Sequence, residues 1–321
     1  IRDSVYPSQL KYAAPWQAKR LMWNTSWWFY GSRQKFEEAD KSKLVAVDIG
    51  VFYPLKGKSN TEIAAESRSQ HQCQGMGSTS SRGRSMEYLE FLKGDQPRGT
   101  LFDGINTTWS RLKGGAIIGE KLAAIESNFD FSDPSKSVPA LVQAREMIKT
   151  LPSSRWKMVK LEEIEEIITG SLGLFGEMIT SEYHSTAGGT LQLRTEIINR
   201  SNVAVSLKQI TIPRVGIDTT LNQNLTWESA FKWETEITIP EEAPYTNSYW
   251  LNEQWELGRY TVKNQQLRGL PETPKGNDAI ITLEIEGSNF TFVRPLVFKK
   301  TDRVKGEIYR PFEVIAPVSV E

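Results

Sequence analysis

The side chains with the widest catalytic and metal-binding chemistry are scarce in this sequence. Among 321 residues there are two histidines, His71 and His184, and one cysteine, Cys73. A three-histidine metal site, a cysteine-rich zinc site and an intrachain disulfide each need more of these residues than the chain has. A Ser-His-Asp triad needs a histidine that accepts a proton, and neither histidine lies beside a Gly-x-Ser-x-Gly turn. On a helix His71 and Cys73 would point to different faces, which argues against a Cys-His pair.

Carboxylates are the remaining groups that could do acid-base chemistry. A glycosidase needs only two carboxyl groups, which face each other across a cleft at about 5 to 10 Å. No local pattern nominates such a pair. The densest acidic cluster comprises Glu162, Glu163, Glu165 and Glu166. Carboxylates at adjacent helical positions diverge, so we interpret this cluster as a solvated helix face, and a carboxylate-based glycosidase stays open as an alternative.

Tryptophan is unusually frequent, and eight of the ten residues fall in two clusters. The first cluster lies between Trp16 and Trp28, and the second lies between Trp227 and Trp255. Aromatic rings stack on sugar rings, and this makes Trp250 and Trp255 candidates for carbohydrate stacking. The alternative is that the tryptophans fill the cores and the domain junction.

Charge and hydropathy bear on two classes of partner. The 39 basic residues balance 39 acidic residues, so we expect no broad basic surface for nucleic acid. No run of 18 apolar residues occurs, so we expect no membrane span. The chain opens at Ile1 without an initiator methionine or a leader, and we interpret it as a processed or truncated product.

Hydrophobic periodicity predicts two regions of different character. Before residue 178 it indicates buried strands at 19–23 and 43–49, a helix from the capping box Ser59 and Glu62 to about Cys73, and helices at 115–128, 137–150 and 157–177. After residue 178 short alternating runs predict strands. These lie at 191–199, 203–212, 232–239, 259–263, 279–286, 289–299 and 312–320, with a hairpin at 284–292.

The expected fold is therefore α+β and multidomain. We place a partial α/β domain with a helical segment at 1–177, and an antiparallel β-sandwich, immunoglobulin-like or fibronectin-like, at 178–321. A length of 321 residues favours two domains.

One segment goes beyond generic patterning. Residues 57–75 read GKSNTEIAAESRSQHQCQG. This segment resembles the helix of PIG-L (LmbE-like) deacetylases that carries a His-x-Ser-Gln element, here His71-Gln72-Cys73-Gln74 with cysteine in place of serine. Residues 15–21, 101–109 and 305–311 look like a long multidomain subgroup of that family from environmental bacteria. The resemblance covers most of the chain.

The resemblance implies a zinc-dependent hydrolase that removes N-acetyl groups from amino sugars. Family members hold zinc through a His-Pro-Asp-Asp motif near their N-terminus and a further histidine, and neither motif occurs here. The chain then corresponds to the C-terminal part of such an enzyme, with a Rossmann-like remnant, no zinc of its own and no activity alone. Multidomain relatives imply an exported bacterial protein, periplasmic or extracellular, although the lack of disulfides also fits a cytoplasm.

The same resemblance suggests the functional residues. Arg68 and His71 would share a helix face, and together with Gln74 they would line or brace the edge of a substrate cleft. The alternative is a structural helix whose polar residues cap and hydrogen-bond nearby loops. We expect His184 to be structural or on the surface, and Cys73 to be a small buried residue in place of serine.

A truncated α/β domain has a physical consequence. The strands near Leu21 and Leu44 would lack neighbours, so the chain should expose a sheet edge and apolar surface. We expect self-association, a bound N-terminal segment of the same protein, or poor order in residues 1 to about 55. The competing functional hypothesis is a non-catalytic β-sandwich module that binds carbohydrate or a partner protein.

Overall fold

The computed structural model describes residues 5–274 and 276–318. The chain forms two compact units that divide between Thr107 and Thr108, called here unit 1 and unit 2. No helix in the described ranges is long and apolar enough to cross a membrane.

Unit 1 is built on a small antiparallel sheet. Its strands are β1 (Arg20–Thr25), β2 (Leu44–Asp48) and β5 (Met86–Gly94), in the order β1-β5-β2. The short strands β3 (Phe52–Tyr53) and β4 (Lys58–Ser59) pair with each other. Helix α1 (Arg33–Glu38) and helix α2 (Asn60–Ser69) complete the unit. β1 and β2 are therefore both edge strands, each paired with β5.

Unit 1 buries little apolar surface. Among its described residues the large apolar side chains that are buried are Phe36 and Val45. Phe36 packs edge-on against Tyr30 and Tyr88, with ring centroids 5.0 and 4.9 Å apart. Leu21 on β1 is 58% exposed. The strands predicted near Leu21 and Leu44 are thus present but are not fully covered.

Unit 2 begins with three helices and continues as a large sheet. The helices are α3 (Ala116–Ser127), α4 (Val138–Lys149) and α5 (Arg155–Ser171). The strands are β6 (Phe175–Thr180), β7 (His184–Thr186), β8 (Thr190–Ile198), β9 (Val205–Ile212), β10 (Ile217–Asn224), β11 (Phe231–Thr238), β12 (Asp278–Ile285), β13 (Ser288–Asp302), β14 (Gly306–Pro311) and β15 (Glu313–Ile315).

The main sheet has eight strands in the order β10-β9-β12-β13-β6-β8-β11, with β14 also paired to β13. β13 changes partners along its length: residues 288–295 pair with β12, and residues beyond Pro295 pair with β6 and β14. β6 runs parallel to β13, and β7 and β15 form a separate parallel pair. The remaining pairs in the main sheet are antiparallel.

Alternating side chains make the core of unit 2. On β8 Leu191, Leu193 and Ile197 are buried while Gln192 and Arg194 face outward, as a period of two requires. On β12 the buried residues are Ala279, Ile281, Leu283 and Ile285. Helices α4 and α5 pack on each other and contribute side chains such as Leu141, Ile148, Ile164 and Ile168 to the same apolar core.

This shared core explains a difference in the domain boundary. The sequence placed the boundary at 177/178, where helices give way to strands, whereas the compact units divide at 107/108. The three helices and the strands that follow contribute side chains to one apolar cluster, so helices and strands belong to one unit. The chain is a mixed α+β protein, as expected.

Several element boundaries also differ from prediction. α2 ends at Ser69 rather than near Cys73. α5 ends at Ser171, and the last residues of the helix predicted to reach 177 belong instead to β6, which begins at Phe175. No strand forms at 259–263, where Arg259 makes one isolated bridge to Glu256. The predicted strand at 312–320 is reduced to β15, and its residues 319 and 320 lie outside the described range.

Candidate functional site

Helix α2 begins with the predicted capping box. The Ser59 hydroxyl accepts a hydrogen bond from the Glu62 amide at 3.3 Å, and the Glu62 carboxylate accepts from the Ser59 amide at 2.9 Å. The bonds that the Ser59 amide and hydroxyl donate to this carboxylate, with the nearby Arg82 guanidinium, lower the pKa of Glu62 below its usual range. The sequence therefore fixes the start of this helix, and with it the position of the motif that follows.

The three substrate-cleft candidates lie together at the C-terminal end of α2. The His71 amide donates to the Arg68 carbonyl at 3.1 Å, and the Gln74 amide donates to the His71 carbonyl at 3.2 Å. His71 Nδ1 lies 3.1 Å from Gln74 Oε1, and Arg68 Nε donates to the Met76 carbonyl at 3.2 Å. All three side chains are exposed.

This arrangement differs from the expected shared helix face. His71 lies beyond the last helical residue and caps a short 3-10 turn, Gln72–Gln74. The turn closes at Gly75, whose φ of +62° favours glycine. The His71 and Gln74 side chains contact each other across this turn, whereas the Arg68 side chain bonds to the Met76 carbonyl.

The prediction for Cys73 is wrong. We expected a small buried residue, and the structure exposes Cys73 as a free thiol in the same 3-10 turn. The helix ends four residues earlier than expected, and this removes the packing that a continued helix would have provided. His184 lies on β7, stacked on Tyr183 at 4.3 Å between ring centroids.

A groove of about 580 Å³ runs beside α2, but the three candidates do not line it. Its walls come from another face of the helix, including Glu62, Ala65 and Ser69, and from the segment Ser78–Ser80. The Ser69 hydroxyl accepts from the Ser78 amide at 3.3 Å and joins the two walls. Arg68, His71 and Gln74 therefore form a separate polar surface.

Unit 2 contains a second candidate, a cleft of about 530 Å³. It lies between the loop at 244–252 and the loop at 272–274, with Arg214 and Glu313 also lining it. Trp250 is half-buried in its wall and packs edge-on against Tyr249, with ring centroids 5.0 Å apart. Trp255, the other predicted stacking residue, is 54% exposed and does not line the cleft.

Hydrogen bonds tie the walls of this cleft to one another. The Thr273 hydroxyl donates to the Asn247 carbonyl and accepts from the Tyr249 amide, both at 2.8 Å. Thr246 exchanges two bonds with Val314 of β15, at 2.7 and 2.9 Å. Arg214 donates to the Pro244 carbonyl at 2.7 Å, and burial lowers the pKa of its guanidinium. The cleft is thus held open by fixed backbone.

Sequence reasoning missed this cleft because its loops have no periodic pattern. The residues from Pro240 to Gly276 contain many polar and turn-forming side chains, and of those that line the cleft only Trp250 was a sequence candidate. The tether from the Tyr249 hydroxyl to the Leu270 carbonyl, 3.0 Å long, joins residues 21 positions apart. A contact of this kind leaves no local signal.

The acidic cluster on α5 is partly engaged in an ion pair. Glu165 Oε1 lies 2.6 Å from Nε of Arg145, a buried residue of α4. Arg145 also contacts Glu146 at 2.8 Å and lies over the Phe290 ring at 4.1 Å. Glu165 therefore links α4 and α5, and the other carboxylates of the cluster, Glu162, Glu163 and Glu166, are exposed.

A zinc site needs three or four converging His, Cys, Asp or Glu side chains. Across the described ranges no three His, Cys, Asp or Glu side chains converge as metal ligands. In the turn at the end of α2, His71 Nδ1 contacts the side-chain amide oxygen of Gln74.

Comparisons with known proteins leave the chain without a demonstrated family. No family model matches it, and no curated protein matches it. One similar solved structure is a Pseudomonas fluorescens alkylpurine DNA glycosylase AlkC bound to DNA containing an abasic site analogue. It is 8% identical with a TM-score of 0.19, and the match covers 50% of this chain and 47% of that one. The chain thus spans about half the length of that protein, and so distant a likeness carries no argument about fold or function.

Proposed function

We propose that this chain is the C-terminal part of a zinc-dependent N-acetyl amino-sugar deacetylase of the PIG-L (LmbE-like) type, from an exported bacterial protein. The observation that carries the proposal is the segment 57–75, where the resemblance is strongest. There a capped helix that carries Arg68 leads into a turn that brings His71 and Gln74 into contact. The chain alone is inactive, and zinc is held by residues outside it.

The turn supplies polar groups that suit the edge of a sugar cleft. In the neutral tautomer whose Nδ1–H donates a hydrogen bond to Gln74 Oε1, Nε2 is the acceptor nitrogen of the ring. Arg68 is anchored on the Met76 carbonyl. In this proposal His71 accepts a hydrogen bond from a sugar hydroxyl, and Gln74 holds the ring in place.

Two features of the sheets support a finer proposal about the fold. Large α/β sheets often carry antiparallel strands at their edge, and we propose that the sheet β1-β5-β2 is such an edge of an α/β domain. In unit 2, β13 changes partners near Pro295 as strands do where they pass between the sheets of a sandwich. We therefore propose an antiparallel β-sandwich, immunoglobulin-like or fibronectin-like, for residues 178–321.

The sparse core of unit 1 supports a missing partner segment. Only Phe36 and Val45 are buried among its described large apolar residues, while Trp28 and Leu55 are 71% and 83% exposed. A compact unit of this length normally buries a larger apolar core. We propose that the N-terminal deacetylase segment of the same protein covers them.

The test is made on the complete gene product. We expect it to release acetate from N-acetylglucosamine-containing substrates and to lose this activity on treatment with a metal chelator. Failure of the complete, folded, zinc-loaded protein to deacetylate any N-acetylated sugar would contradict the proposal.

The role of the turn is tested separately by His71→Ala in the complete protein. We expect kcat/KM to fall by about tenfold, equivalent to about 1.4 kcal/mol of transition-state binding, while zinc content stays unchanged. His184→Ala is the matched control, because His184 lies in unit 2 on β7. Unchanged turnover in His71→Ala would show that the turn only ends the helix and has no role in binding substrate.

A further inference from the structure

We propose that the cleft of unit 2 lined by Trp250 is a binding site for an uncharged saccharide. This inference does not rest on the deacetylase assignment, because the cleft lies in unit 2 and uses none of the residues at 57–75. Its volume of about 530 Å³ lies within the range of small-molecule sites, about 300 to 1,000 Å³.

The aromatic lining provides the first half of saccharide recognition. Trp250 is half-buried and is braced edge-on by the buried ring of Tyr249, so its orientation is fixed. Tyr245 also lines the cleft and is 55% exposed. The C–H face of a pyranose ring is apolar and slightly positive, and it packs on the negative face of an aromatic ring.

The polar lining provides the second half. Asn247 and Asn252 each offer amide donors and acceptors, and their side chains bond to each other at 3.1 Å. Thr246 and Thr273 add hydroxyls that already anchor the walls. Hydroxyl groups of a sugar match amides and hydroxyls in number and direction, because both donate and accept.

The charges at the cleft select against anionic ligands. Its described lining holds one guanidinium, Arg214, and two carboxylates, Glu272 and Glu313. The Arg214 guanidinium already donates to the Pro244 carbonyl, so the described lining gives an anionic sugar no uncommitted cation to pair with, and a neutral sugar needs none. The hydrogen-bonded walls also lower the cost of binding, since little ordering is left to be done.

The test titrates the full chain with three trisaccharides while following the indole signal of Trp250 by NMR and the affinity by calorimetry. The probes are triacetylchitotriose, cellotriose and the anionic trigalacturonate. We expect at least one neutral probe to shift the Trp250 signal, with a Kd of about 1 mM or tighter. Trigalacturonate should bind at least tenfold more weakly than that probe.

Variants locate the site. Trp250→Ala should weaken binding at least tenfold, whereas Trp255→Ala and Trp227→Ala, which change exposed tryptophans outside the cleft, should alter it less than twofold. Trp250→Phe should retain part of the affinity, because a ring remains. If Trp250→Ala fails to fold, Asn252→Ala tests the same site by removing a hydrogen-bonding side chain instead of the aromatic ring, and it should also weaken binding.

Three results would overturn the inference. The first is that neither neutral probe moves the Trp250 signal at about 10 mM. The second is binding that survives in both Trp250→Ala and Asn252→Ala. The third is equal loss of binding in Trp255→Ala or Trp227→Ala, which would place the sugar elsewhere.

Discussion

Arg145 shows how one polar residue can organise the helical layer of unit 2. Its guanidinium is buried, contacts Glu165 and Glu146 at 2.6 and 2.8 Å, and lies over Phe290. A buried guanidinium is stable only when its donors are paired, and here the carboxylates belong to both α4 and α5. The ion pair between Arg145 and Glu165 therefore fixes how α4 packs on α5.

We expect Arg145→Ala to lower the free energy of unfolding by about 2 to 3 kcal/mol, because it removes the packing of the side chain and leaves Glu165 without its cation. Lys149→Ala is the control, since Lys149 pairs with the same Glu146 at 2.9 Å but is largely exposed. That change should cost at most about 0.5 kcal/mol. Urea unfolding followed by circular dichroism measures both, and equal effects would show that the buried pair has no special role.

Asp103 gives a residue-scale prediction about pH. Its carboxylate accepts hydrogen bonds from the Arg98 and Gly99 amides and from the Thr100 hydroxyl. These bonds, led by that of Gly99, lower the pKa of Asp103 to about 2. Because the folded pKa lies below the unfolded one, the stabilisation is present above about pH 4 and is lost as the pH falls through about 2.

We expect the Asp103 carboxyl carbon to titrate near pH 2 by NMR. Asp103→Asn should speed amide hydrogen exchange at Gly99, whereas Asp95→Asn, which removes the same charge outside this loop, should leave that rate unchanged. A Gly99 amide that exchanges at the same rate in both variants would remove the proposed anchoring role.

At the scale of elements, the hairpin between β12 and β13 carries a measurable strain. Its two turn residues, Glu286 and Gly287, have φ of +50° and +74°, which is the geometry of a type I′ turn. Glycine adopts this conformation freely, but glutamate does not. The sequence thus forms a tight turn with one unsuitable residue.

We expect Glu286→Asn to raise the free energy of unfolding by about 0.5 to 1 kcal/mol, since asparagine tolerates positive φ. Glu286→Ala keeps a Cβ without this tolerance and should bring no gain. Thermal unfolding of the three proteins compares them. A gain in the alanine variant equal to that of asparagine would assign the effect to lost charge rather than to relieved strain.

For the whole molecule, the contrast between the units is the dominant feature. Unit 2 carries the extended apolar core, with helices and strands contributing side chains to it. Unit 1 exposes Trp16, Trp28 and Leu55 at 73%, 71% and 83%. Exposed apolar groups of this size commonly mark surfaces that bind other protein.

We expect this chain to associate in a concentration-dependent way, as measured by sedimentation velocity, and to bind an apolar dye. Leu55→Ser should reduce both effects. Leu257→Ser is the matched control, because Leu257 is 98% exposed but belongs to unit 2. The complete gene product should show less dye binding than this chain, and a chain that stays monomeric without binding dye would argue against an uncovered surface.

The sequence by itself determined most local structure. The capping box at Ser59 and Glu62 fixed the start of α2, and alternation of apolar residues located β8, β9, β12 and β13. These features depend on neighbours a few positions apart, so they are readable without the fold. The hairpin at 284–292, with a glycine in its turn, is likewise readable from neighbouring residues.

Only the tertiary structure decided where units begin and where possible sites lie. The boundary at 107/108 follows from α4 and α5 burying Ile148 and Ile168 in the core shared with the sheet. The cleft around Trp250 depends on hydrogen bonds between residues such as Tyr249 and Leu270, which local sequence patterns do not encode. Core burial and loop tethers are sums over distant contacts, and for that reason they appear only once the chain has folded.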